Sequence, residues 1–257
     1  MDWHAGLRGL MWQARRGRRR VTAAISVTLA LGLGLTPVGA QAPTDVLEAL
    51  LIGNNAYASA PLANPVRDAT AMAQALREQG FRVTVLTDAS RTQMSQALAA
   101  LGQRLAGRAG VGWVYFAGHG VQVDDTNLLL PVDARVSSEA DLRTQGLPLD
   151  EVVATFRQAG TRLGVMVLDA CRDNPFRPRE ALAGLAPRDP PAGMLIGYAT
   201  EPGNVAQDGV EGGNGLYTRQ LLDELKRGGS SLDDVFKRVR YGVWRVSRAT
   251  QIPSYVN

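Results

Sequence analysis

A chain of 257 residues, 45% hydrophobic and 20% charged, is long enough for one globular domain plus a short extension and is too apolar for a disordered protein. The net charge of +4 is spread unevenly. Residues 1–40 carry six Arg and one Asp, and the remainder holds 22 basic against 23 acidic residues, which excludes the basic footprint of a nucleic-acid binder.

The first forty residues read as an address. Arg15, Arg16, Arg18, Arg19 and Arg20 precede the uncharged run VTAAISVTLALGLGL at 21–35, and Pro37-Val38-Gly39-Ala40 closes with small residues. That order is a secretory signal cut after Ala40, leaving 41–257 as the exported domain, periplasmic or secreted. An uncleaved anchor is the alternative. The run is short for a span and holds Gly32 and Gly34, so no stable membrane insertion is expected after cleavage. The cut leaves one histidine, His119, and one cysteine, Cys171. One cysteine makes no internal disulfide, and its plain reading is a buried core thiol.

Along the rest of the chain, apolar runs alternate with helical patterns. Leu47–Ile52 is an apolar run ending in the turn signal Gly53-Asn54-Asn55. Asn64 and Pro65 supply an N-cap and a first helical residue. Val66, Ala69, Met72, Ala73 and Leu76 then form one face, and Gly80 stops the helix. Phe81, Val83 and Val85 alternate as a strand. Ser90 and Gln93 make a capping box for a helix through Leu105. Val111–Ala117 is continuously apolar, as in a strand covered on both faces. A hairpin over 121–132, a helix over 149–159, buried runs at 163–168 and 194–199, and helices over 216–225 and 232–248 follow. Strands alternating with helices predict an α/β sandwich with a mainly parallel central sheet. The stretch 174–193, rich in Pro, Arg and Ala, reads as a long loop.

The two residues left by the cut fall at strand ends. His119 lies in Ala117-Gly118-His119-Gly120 after one buried strand, and Cys171 in Asp169-Ala170-Cys171-Arg172 after another. Loops at the carboxyl ends of parallel strands line the ligand crevice. If the two strands are neighbours, the imidazole and the thiol share one edge. An imidazole beside a thiol can take its proton and later protonate a leaving amine. The amides of Gly120 and Cys171 are candidates for an oxyanion hole. One His and one Cys fall short of a zinc site, so no metal is assigned. No G-x-S-x-G elbow supports a serine hydrolase.

The segments around this pair carry a resemblance. ALLIGNNAY, PLANPVRDATAMAQAL, VYFAGHG, NLLLPVDA, LDACRDNPF, IGYATEPGNVAQDG and NGLYTRQLL occur in order over about 47–250. They resemble the blocks of the caspase-like peptidases, and the DAC at 169–171 is similar to metacaspases and prokaryotic caspase-like peptidases rather than to animal caspases. The resemblance implies a caspase-like αβα sandwich and a cysteine-type endopeptidase using His119 and Cys171. It implies a peptide or protein substrate with Arg or Lys before the cut bond, held by Asp68 and Asp169. It also implies that Tyr198–Gly203 lies along the bound peptide. The chemistry requires no cofactor. Some members of the family need calcium, and Asp133, Asp150 and Glu151 are the acids available. RDNPFRPR has no acid between Asp173 and Glu180, where a ligand would be expected. Arg177, Arg179 and Arg188 make 174–193 a candidate self-cleavage segment. The alternative function is a catalytically silent caspase-like domain that binds peptides or partner proteins.

Overall fold

A computed structural model describes residues 46–124, 126–171, 185, 189–201 and 212–257. The signal peptide expected at 1–40, most of the loop 174–193 and the end of the expected peptide-binding loop lie outside them. Strands β1 (Leu47–Gly53), β2 (Arg82–Thr87), β3 (Val111–Val123), β6 (Leu163–Cys171), β7 (Met194–Tyr198) and β8 (Ser254–Val256) form the main sheet, in the order β2-β1-β3-β6-β7-β8. All neighbours are parallel except β8, which runs antiparallel to β7. This is the α/β sandwich that the alternation predicted.

Two layers of helix cover the sheet. Helices α1 (Pro65–Glu78), α5 (Leu216–Arg227) and α6 (Leu232–Val246) pack on one face. Helices α2 (Arg91–Leu105) and α4 (Leu149–Ala159) pack on the other. The central strands show why both faces are filled. Trp113, Tyr115 and Ala117 of β3 join the first core, and Val114 and Phe116 join the second. Side chains alternate across a strand, so a strand apolar at every position has to be sandwiched.

Glycines set the spacing of one layer. Gly112 of β3 and Gly164 of β6 are register partners, and a Cβ on either would collide with the ring of Phe156. The paired glycines leave a flat bed on which α4 lays that ring, which is fully buried.

Several boundaries differ from the sequence reading. β3 does not end at Ala117. It runs on to Val123 and pairs antiparallel with β4 (Thr126–Leu129), which pairs with the short β5 (Leu147–Pro148). The expected hairpin is therefore the far end of β3 turning back on itself. β6 likewise continues to Cys171, so His119 and Cys171 sit within paired strands and not in loops beyond them. Asn64 does not cap α1 with its side chain; its Oδ1 accepts from Arg67 Nη1 at 3.2 Å instead. Ser90 and Gln93 do make the capping box. α6 ends at Val246, where Arg248 and Ala249 turn the chain through positive φ. Helix α3 (Glu139–Gln145) and strands β5 and β8 are too short to show a period in the sequence.

Truncating Phe156 to Ala should cost about 3–5 kcal/mol, whereas Gly164→Ala should cost about 1–3 kcal/mol by overpacking the same contact. Urea unfolding checks both, and a neutral Gly164→Ala would show that the ring has room to move.

Candidate active site

The site is built on the register of β3 and β6. Pairing runs without a break from Val111↔Leu163 to His119↔Cys171. The backbone of the only cysteine thus lies directly across a parallel ladder from that of His119 (the cysteine side chain is outside the described part). Neighbouring strands lie about 4.8 Å apart, which brings the two residues within reach of one substrate group.

Two other segments, the loop after β1 and the chain at Leu130, fix the imidazole. Nε2 of His119 lies 2.7 Å from the carbonyl oxygen of Ala60. A carbonyl only accepts, so Nε2 donates there, and in the neutral ring the lone pair falls to Nδ1. The hydroxyl of Tyr57 accepts the His119 N–H at 3.0 Å and donates to the Leu130 carbonyl at 2.9 Å. Its ring leans on the imidazole, with centroids 4.4 Å apart. Gly118 makes the approach possible. Its φ is +156°, and a Cβ there would sit 2.5 Å from the Tyr57 hydroxyl. Gly120 is also closely approached, since a Cβ on it would lie 3.1 Å from that of Ala170.

The loop that carries Tyr57 and Ala60 is itself tied down. Oδ1 of Asp88 accepts the N–H groups of Asn55 and Ala56 at 2.7 and 2.8 Å. The buried Asn54 accepts from the Ala89 N–H and donates to the Leu130 carbonyl. Sequence reasoning missed Ala60, Tyr57 and Asp88. A backbone carbonyl has no residue signature, and the other two act only through contacts distant in the chain.

The two aspartates come together at the start of α5. Asp68, on the first turn of α1, is buried, and its carboxylate accepts the Gly215 N–H at 3.0 Å. Asp169 of β6 accepts from Thr218 Oγ1 at 2.5 Å, and Thr218 Oγ1 accepts in turn from the Tyr115 hydroxyl, which lies 3.4 Å from the carboxylate. A Cβ on Gly215 would lie 3.1 Å from Asp68 Oδ2 and 3.6 Å from Asp169 Oδ2. The two carboxylates therefore border one small space, which Gly215 keeps open. Their negative charge is felt by the tyrosines beside them. Burial holds the Tyr115 hydroxyl protonated well above its usual range, and Asp169 and Asp68 add to the effect. Burial and then Asp169 do the same for Tyr217.

Next to this region Ala199 accepts from Gln251 Nε2, Thr200 is buried, and Glu201 pairs with Arg240. The acids considered for calcium make no cradle. Arg91 donates from its backbone to Asp133 and from its guanidinium to Glu151, and among the described residues no three potential metal ligands cluster. None of the described helices is long and apolar enough to cross a membrane.

A family model described as the caspase domain matches residues 48–257. The mouse and human mucosa-associated lymphoid tissue lymphoma translocation protein 1 sequences are each 29% identical over 181 residues, which is 69% of this chain. The chain spans only 21% of the length of those relatives. A crystal structure of a Geobacter sulfurreducens protein superposes with a TM-score of 0.61 at 20% identity, covering 82% of this chain and 92% of that one.

Tyr57→Phe keeps the ring and removes the bridge between the His119 N–H and Leu130. It should lower stability by about 1–3 kcal/mol, the cost of a stranded buried donor; a stability equal to the parent would show that the bridge is dispensable. The tyrosines make a second prediction. Tyrosine in the unfolded chain loses its proton near pH 10, while Tyr115 and Tyr217 in the fold retain theirs. Their contribution is whole below pH 10 and is lost as pH rises from there toward the folded-state values. The downward slope of unfolding free energy for each tyrosine should steepen from about half its full value at pH 10 toward about 1.4 kcal/mol per pH unit above it, and Tyr115→Phe should flatten it. Denaturant titrations between pH 9 and 11 read it directly.

Proposed function

The chain belongs to the caspase-domain family, and on that premise we propose that it is a cysteine-type endopeptidase that cuts after Arg or Lys, with His119 and Cys171 as its dyad. The observation that carries the proposal is the register of β3 and β6, with His119 paired to Cys171. The hydrogen bond from Nε2 to Ala60 supports a defined role for the imidazole, since it leaves Nδ1 as the basic nitrogen.

In this mechanism Nδ1 takes the thiol proton, and the Cys171 sulfur bonds to the carbonyl carbon of the substrate. The carbonyl oxygen gathers negative charge, which the amides of Gly120 and Cys171 are assigned to hold. As the C–N bond breaks, the imidazolium returns its proton to the leaving amine. Water, deprotonated by the same imidazole, then cleaves the thioester and regenerates the thiol. No metal takes part in these steps.

The substrate preference rests on the carboxylates. Asp68 and Asp169 border a common space beside Gly215, and a paired negative site complements an extended Arg or Lys side chain. The substrate is a peptide or protein chain. We place the reaction outside the cytoplasm on the strength of the basic and apolar order in residues 1–40.

Fluorogenic peptides ending in Arg, Lys or Asp test the proposal. Turnover is expected after Arg and Lys, should be abolished by Cys171→Ala, and should fall at least about a hundredfold in kcat/KM with Asp169→Asn, which removes a charge facing the cation. Turnover that survives Cys171→Ala would sink the mechanism, and cleavage confined to Asp would sink the pocket assignment. A properly folded protein that cleaves none of them but binds peptides would establish the silent domain instead.

A further inference from the structure

His119 has a second neighbourhood that the chemistry above does not use. On its flank lies a cavity of about 180 Å³ bordered by Ala58, Ser59, Ala60, Leu130, Ala134 and Val136, beside Tyr57 and His119. None of the described residues lining it is Asp, Glu, Lys or Arg. Its walls come from the loop after β1 and from the stretch after β4.

The cavity is separate from the acidic space. His119 borders it, and neither Asp68 nor Asp169 does. The Arg or Lys of a substrate goes to the carboxylates, and the amine that His119 protonates leaves beside the imidazole. We infer that this cavity receives the side chain of the substrate residue immediately after the cut bond, and that it selects a branched aliphatic side chain of valine or leucine size. The inference rests on the peptidase reading and adds to it a second determinant of where the chain is cut. Burying aliphatic carbon against Leu130, Val136 and the alanines is favourable.

The test uses internally quenched peptides on the full chain. All carry Arg before the cut bond and differ only in the next residue, which is Gly, Ala, Val, Leu or Asp. Val and Leu are expected to exceed Gly and Asp in kcat/KM by about tenfold or more. Ala134→Phe should fill the cavity and bring the Leu-to-Gly ratio toward one. Val136→Thr, which keeps the shape and adds a hydroxyl, should reduce that ratio severalfold. Each ratio is internal to one variant, so partial loss of folded protein does not alter it. Equal rates for Gly and Leu in the parent, or a ratio unmoved by Ala134→Phe, would overturn the inference while leaving the peptidase reading intact. Cleavage of none of the peptides would overturn both.

Discussion

The parallel pairing of β3 with β6 is the constraint on which the site depends. The ladder is continuous from Val111↔Leu163 to His119↔Cys171, and its register is enforced from both faces. Tyr115 and Val167 must reach one core while Phe116 and Leu168 reach the other. A slip of one residue would exchange those faces along the whole strand. It would also part His119 from Cys171 and turn Asp169 away from Asp68. Core packing and the alignment of the chemical groups are therefore one requirement, met by the same hydrogen bonds.

The ends of these strands are held by parts of the chain that lie elsewhere. Asp88, with φ of +50°, gathers the amides of Asn55 and Ala56. Asn54 joins Ala89 to Leu130, and Tyr57 joins Leu130 to His119. The Leu130 N–H in turn donates to the His119 carbonyl. Each of these groups holds the one that positions the next, so the imidazole is oriented before a substrate arrives. Such preorganisation matters because the reacting atoms then pay little to reach their geometry.

The other half of the site is electrostatic. Asp68 and Asp169 come from different layers, one from a helix and one from the sheet. They meet because Gly215, at the entry to α5, offers an N–H and no side chain. Tyr115 and Thr218 hydrogen-bond to each other at 2.6 Å and both face Asp169. Burial first, and then the carboxylate of Asp169, explain why the Tyr115 phenol holds its proton so firmly. The acidic space and the cavity beside His119 have no residue in common among those described.

Much of this was legible in the sequence. The apolar runs at 111–117 and 163–168 mark buried strands, because a strand covered on both faces is apolar throughout, and 47–52 does so despite Glu48, whose carboxylate pairs with Arg82 and Arg104. The capping box at Ser90 and Gln93 marks a helix start, because both of its hydrogen bonds lie within four residues. His119 and Cys171 stood out by residue type and by their place after buried runs, and the family resemblance pointed to Asp68 and Asp169. The extension of β3 and β6, the brief β8 and the failure of Asn64 to cap α1 did not show, because pairing partners and competing contacts decide them. The sequence by itself determined the layered α/β class and the chemical groups available. Only the tertiary structure decided which strands are neighbours, that the carbonyl of Ala60 holds the imidazole, that two distant aspartates border one space, and that an aliphatic cavity opens beside His119. Composition and periodicity record what each residue prefers locally, whereas those four features are contacts between residues far apart in the chain.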